Sequence, residues 1–146
     1  MATTKRKATK AAAAAPPLPC APGVCSPQRT QGLKAPAPAG NHTLIALAGP
    51  GVFLGAEVVK QGGTNDLTFV SLDIDGQNVV NISFAAAANA GLTEQNPFGL
   101  VLLTTAALKN LTMGFPTPLR YKRLVLSVTV NEPGVVQILA NVVHGQ

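Results

Sequence analysis

The run DIDGQN puts Asp73, Asp75 and Asn78 within six residues, an oxygen-rich spacing that could serve calcium. A helix-loop-helix calcium loop needs further oxygen ligands and a bidentate glutamate at its twelfth position. Counted from Asp73, that position is Phe84, so the segment reads as a hairpin tip. His42 and His144 stand near the two ends of the region after Asn41, and neither has a third ligand at zinc-like spacing. Cys20 and Cys25 sit in a Pro/Gly-rich segment at C-x4-C spacing, with no second pair to complete a zinc site. They read as two reduced thiols, with a local disulfide or a link between subunits as the alternative. No G-x-S-x-G elbow and no phosphate-binding glycine loop is present. Paired carboxylates could support hydrolysis without a motif, since they need only converge in space. The acids on offer are Glu57, Asp66, Asp73, Asp75, Glu94 and Glu132. Most fall in predicted turns, where carboxylates are usually solvated. The expectation is a non-enzyme with no catalytic residue, no cofactor and no metal.

One stretch invites a binding role. FPTPLRYKR (115–123) sets Arg120, Lys122 and Arg123 around Tyr121, the only tyrosine. Pro116 and Pro118 cannot donate ladder hydrogen bonds and suit an edge strand or a kink at the entry to a strand. Charges there can simply protect the edge from sheet-to-sheet pairing. Alternatively, Arg120, Tyr121, Lys122 and Arg123 form a contact site for an acidic partner surface or a nucleic-acid backbone. Three N-x-S/T triplets, at Asn41, Asn81 and Asn110, are read as incidental, because glycosylation needs a secretory route that the N-terminus does not advertise.

Charge divides the chain. Residues 1–40 carry Lys5, Arg6, Lys7, Lys10, Arg29 and Lys34 with no acid, whereas residues 41–146 carry five basic and six acidic side chains. The basic character therefore belongs to the first segment, and a basic nucleic-acid surface on the remainder gains little support. Seven of the twelve prolines also lie in residues 1–40. Such an Ala/Pro-rich stretch cannot bury enough apolar surface to offset the entropy of ordering. It is expected to be a disordered tether arm over 1–40, with Lys5, Arg6, Lys7 and Lys10 as its anchor. No run of about 18 uninterrupted apolar residues occurs, so no membrane segment is expected.

From His42 onward, short apolar runs alternate with Gly, Pro, Asn and Asp. Strands are predicted over 42–48, 52–60, 67–74, 77–84, 98–104, 110–115, 119–131 and 135–144. Asp75-Gly76 between alternating segments signals a type I′ hairpin, which needs positive φ at both central residues. In the C-terminal hairpin, Leu124, Leu126, Val128 and Val130 share one face, and Val136, Ile138, Ala140 and Val142 share a face of the return arm. In the Asp-Gly hairpin one face offers Leu67, Phe69, Val80, Ile82 and Phe84, and the other Val70, Leu72, Ile74 and Val79. Residues 85–97 read as one or two helical turns or as a long crossing loop. The expected fold is all-β: an antiparallel two-sheet sandwich, jelly-roll-like, of about eight strands over 41–146.

LDIDGQNVVN, NPFGLVLL and GFPTPLRYKRLVLSVTVNEPG resemble small β-sandwich structural proteins of tailed bacteriophages, of the head-decoration and appendage kind, over about residues 65–146. The resemblance implies a homo-oligomer that docks on another structural protein of a larger shell, and hence a place in a virion; without it the expected location is cytoplasmic. Apolar residues on both faces of the Asp-Gly hairpin also suggest a subunit contact. Two alternatives belong to other classes. One is a carbohydrate- or surface-binding module, which usually needs aromatic platforms. The other is a nucleic-acid-associated protein using its basic arm.

Overall fold

A computed structural model describes residues 26–146. Its elements are β1 (Gln28–Lys34), β2 (Gly40–Gly62), β3 (Thr68–Ile74), β4 (Gln77–Ser83), α1 (Phe84–Asn89), β5 (Leu100–Thr104), β6 (Leu108–Met113), β7 (Leu119–Val130) and β8 (Val135–Gly145). All strand pairs are antiparallel and hydrogen bonds join them into one sheet of order β1-β8-β2-β7-β3-β4, with β6 joined to β2 and β5 to β6. The all-β, antiparallel expectation agrees with this; the pairing itself forms a single connected sheet.

The sequence divides β2 into two strands at Gly49-Pro50-Gly51, but the chain runs through as one strand of 23 residues. Straight, it would span about 75 Å, far more than a domain this size can accommodate. Bulges bend it: register shifts fall between Thr43 and Ile45 and between Ala48 and Gly51 against β7, and between Phe53 and Gly55 against β8. The first half, from Gly40 to Phe53, pairs with β7; the second, from Val52, pairs with β8 on one side and from Ala56 with β6 on the other.

Residues 28–34 correct the expectation of an arm reaching Gly40. QRTQGLK pairs with β8 over seven positions, from Gln28↔His144 to Lys34↔Ile138. Only Leu33 in it is a large apolar residue, so hydrophobic patterning does not advertise the strand; backbone pairing and close approach make it. A Cβ at Gly32 would collide with the Leu44 carbonyl oxygen, so only glycine lets β1 pass over β2 there. Lys5, Arg6, Lys7, Lys10, Cys20 and Cys25 lie outside the described residues.

Leu124, Leu126, Val128 and Val130 of β7 are all fully buried, as their alternation predicts. Ile138, Ala140 and Val142 of β8 join them, whereas Val136 is exposed, next to the register shift between Gln61 and Gly62. The Asp75-Gly76 turn has positive φ at both residues (+53° and +80°), as a type I′ turn requires. A bulge beside it leaves Val79 without a partner, so Leu72 pairs with Val80 and Val70 with Ile82. Val80 and Phe84 therefore face inward with Val70, Leu72 and Ile74, and Val79 and Leu67 face out. The bulge thus regroups the expected faces: the hairpin buries Val70, Leu72, Ile74, Val80 and Phe84 on one, and leaves Leu67, Phe69 and Val79 at least partly exposed on the other. Ser83 then caps α1, its hydroxyl accepting from Ala86 N at 3.0 Å, and Phe84 and Ala87 enter the core. Buried residues from β2, β3, β4, β5, β6, β7 and β8 form one cluster.

Candidate functional site

The stretch around Tyr121 becomes a structured site with the ring turned inward. β7 begins at Leu119, just after the two prolines. Arg120, Lys122 and Arg123 are exposed, while Tyr121 is 4% exposed and belongs to the core. The bulge of β2 makes room for it. A Cβ at Gly51 would press into the Tyr121 ring and its Oη, and one at Gly49 would collide with the Tyr121 carbonyl oxygen. Glycine at both positions is therefore a packing requirement, which GPG read as a turn between strands does not reveal. Tyr121 Oη lies 3.3 Å from His144 Nδ1, and His144 Nε2 lies 2.9 Å from Thr30 Oγ1. A neutral imidazole has one donor and one acceptor nitrogen and can satisfy both neighbours. Burial raises the Tyr121 pKa above its ordinary value, so the ring stays a neutral phenol. This ties β7 to β8 and β1 through side chains. Tyr121 thus supports the surface rather than presenting itself to a partner, and no longer offers a ring for stacking carbohydrate.

The Asp-Gly turn holds the neighbouring backbone. Asp75 Oδ1 accepts from Lys122 N and Arg123 N, each at 2.8 Å, and Asp75 N donates to the Arg123 carbonyl oxygen at 2.9 Å. The carboxylate is therefore a clamp between the β3–β4 tip and β7. Asp73 and Asn78 brace the hairpin itself, where Asn78 Nδ2 donates across it to Asp73 Oδ1 at 2.9 Å and to Ser71 Oγ at 2.8 Å. Between the turn, the bulge and β7 lies a cavity of about 550 Å³, with Ala48, Pro50, Val52, Asp75, Arg120 and Lys122 among its lining residues. Among the described residues, Arg120, Lys122 and Arg123 are in no ion pair. Gln146, the last residue of the sequence, also lines the cavity, so Arg120 and Lys122 stand there with the Asp75 carboxylate and the end of β8. His42 stands apart from this group, its Nε2 2.7 Å from the Pro38 carbonyl oxygen. Among the described residues no three His, Cys, Asp or Glu side chains gather as a metal site would require.

A second polar cluster is invisible in the sequence. The QGGTND loop closes around Glu132, whose Oε2 accepts from Thr64 N at 2.8 Å, Asn65 N at 3.1 Å and Asp66 N at 2.9 Å. Oε1 accepts from Lys60 Nζ and Thr68 Oγ1, both at 2.6 Å. Lys60 Nζ also meets Asp66 Oδ1 at 2.7 Å, Lys109 reaches the other Asp66 oxygen, and Lys60 lies over the Phe84 ring at 5.5 Å. The side chains of Lys60 and Glu132 are wholly buried. Burial opposes ionisation of Glu132, but the Lys60 ammonium, the Thr68 hydroxyl and the N–H groups of Asn65 and Asp66 outweigh it and hold the carboxyl below its ordinary range. At Asp66 burial is likewise outweighed, by Lys109 and Lys60, and its pKa is lowered. A Cβ at Gly63 would run into Glu132 Oε2, so the double glycine lets the loop wrap the carboxylate. With every oxygen and the ammonium engaged, the cluster fastens two loops to the sheet.

The remaining acids divide between strand and loop. Glu94 is exposed. Glu57 on β2 accepts from Asn141 Nδ2 at 2.8 Å and Asn110 Nδ2 at 3.0 Å, bridging β8, β2 and β6. No protein-family model matches the chain, and no curated protein matches it.

Proposed function

We propose that the protein is a non-enzymatic assembly subunit, a jelly-roll sandwich that oligomerises and docks on a larger shell such as a phage head or appendage. Counting β2 as two strands, the pairing divides into β1-β8-β2-β6 and β2-β7-β3-β4. That order is consistent with a double-layered jelly roll, an architecture common in viral capsids. The single core cluster drawn from both groups, and the crossing of Gly32 over Leu44 without pairing, support two facing layers.

The observation that carries the assembly reading is the outward face of β1-β8-β2-β6-β5. Register places Leu33, Leu139, Val59, Asn110 and Leu103 in one row across all five strands. Leu33 is 60% exposed and Leu103 51%, with Val143 and Leu108 also exposed on the same group of strands. The neighbouring row of the same face, Gln31, Asn141, Glu57, Thr112 and Val101, is mostly polar, and the equivalent face of β2-β7-β3 sets Phe69 and Val125 among Asn41, Thr43, Thr129, Ser127, Ser71 and Asp73. Five strands about 4.8 Å apart and about seven residues long give a face of roughly 550 Å², a large part of the ~800 Å² that each partner buries in a standard interface. Phe98, 71% exposed and braced by its N–H to Asn96 Oδ1 (3.0 Å), stands in the loop just before β5 and would add to it. Leu33→Lys combined with Leu103→Lys tests the reading. The expected result is loss of the oligomer in sedimentation with the β circular-dichroism spectrum intact. An oligomer unchanged by both lysines would place the interface elsewhere.

A further inference from the structure

The outward face of β1-β8-β2-β6-β5 carries two charges of opposite sign that do not meet within the chain. Outward positions alternate along each of these strands, and the charged residues at them are Arg29 of β1 and Glu57 of β2. Lys34, Lys60 and Lys109 occupy the alternate register together with the buried Ile138, and so turn the other way. Arg29 is exposed opposite Val143, and among the described residues neither Arg29 nor Glu57 is in an ion pair. Gln146, the last residue of the sequence, lies past the end of β8 with Pro50 and Tyr121, and no ion pair joins it to Arg29. Glu94 is exposed in the loop before β5, beside Val101 and Leu103 at the opposite edge of the face from β1.

Glu57 is fixed in place. Asn141 Nδ2 donates to its Oε1 at 2.8 Å and Asn110 Nδ2 to its Oε2 at 3.0 Å, while the Oδ1 atoms of both asparagines are buried without a hydrogen-bond partner. A buried acceptor left unpaired is costly. The fold leaves two of them and holds one carboxylate on the middle strand of the face. Covering that carboxylate without a counter-charge would oppose assembly. The covering surface must therefore bring a cation, and in a homo-oligomer the cation comes from the same chain.

We propose that two copies of the chain pack this face together about a two-fold axis, with Arg29 of each copy seated on Glu57 of the other. The proposal rests on the assembly reading and names its partner and its central contact. A two-fold makes both pairs at once, because the patch meets itself. Arg29 and Glu57 stand two strands and one side-chain row apart, roughly 12 Å by sheet spacing. An axis lying between the copies and crossing β8 between Asn141 and Val143 brings each onto the other. On the same spacing that axis runs close to Leu33, which is 60% exposed and then meets its own counterpart. The guanidinium donates charge-assisted hydrogen bonds to carboxylate lone pairs that the asparagines leave free.

The test is sedimentation of the full-length protein and its variants, with circular dichroism as the check on folding. Arg29→Glu and Glu57→Arg, each alone, set like charges together and should weaken self-association by about tenfold or more. An equimolar mixture of these two variants restores opposite charges at both contacts and should associate as the wild type does. Glu57→Gln keeps a side chain of the same shape between the asparagines and should weaken association by about fivefold or more. It tests the contact even where Glu57→Arg does not fold. Association unchanged in Arg29→Glu and Glu57→Gln, or a mixture of the folded variants no tighter than either alone, overturns the pairing and leaves the assembly reading standing. A wild-type monomer overturns both.

Discussion

Glu132 is held by five donors and wholly buried beside Lys60. Breaking a buried pair typically costs about 3–5 kcal/mol; here Lys60 keeps Asp66 as its remaining partner, which sets the expectation at the lower end. Glu132→Gln is therefore expected to lose about 3 kcal/mol in urea unfolding at neutral pH. The acid response follows from the lowered pKa values of Glu132 and Asp66. Carboxyls held low in the folded state bind protons more readily when unfolded. Their contribution is complete above the ordinary carboxylate range near pH ~4 and is lost as pH falls through the lowered folded values. The wild-type melting temperature should fall below about pH 4, and the fall should be shallower in Glu132→Gln. Equal slopes would mean that the Glu132 carboxylate has no special place in the acid response. None of this was legible in the sequence. Glu132 sits in an Asn-Glu-Pro-Gly turn where acids are normally solvated, and its partners lie 64 to 72 residues earlier.

Among the elements, the readable strands were those whose apolar residues alternate in register with the core, and β7 is the clearest. Asp75-Gly76 was readable because positive φ at two successive positions narrows the residue choice so strongly. Bulges were not. The extra residue at Val79 turns β4 over, and the bulge at Gly49–Gly51 makes one strand of two; each depends on what lies opposite. β1 was missed because its alternation is polar and half-exposed, while what specifies it is an open edge of β8 and a glycine where it crosses Leu44. The expectation for truncation changes with it. Deleting residues 1–34 removes a paired edge strand and should lower stability by about 2 kcal/mol, or roughly 8 °C in melting temperature for a chain of this size. An unchanged melting temperature would show that β1 contributes nothing to the folded state.

Across the whole molecule, the all-β class followed from strand spacing and turn chemistry, and the continuity of the sheet through one bent strand did not. The partner surface was sought at Arg120–Arg123 and in the Asp-Gly hairpin. At the first, Arg120, Lys122 and Arg123 stay exposed while Tyr121 turns inward; the second buries one face and leaves Leu67, Phe69 and Val79 on the other. The row from Leu33 to Leu103, apolar except at Asn110, could not be seen in advance, because it joins five strands whose order only long-range pairing sets. The assembly reading rests on that row, and the mass of the native full-length protein tests it most directly. Sedimentation equilibrium over a range of concentrations should give a discrete multiple of the 14.9 kDa chain. A monomer that persists to the highest concentrations reached would contradict the assembly reading.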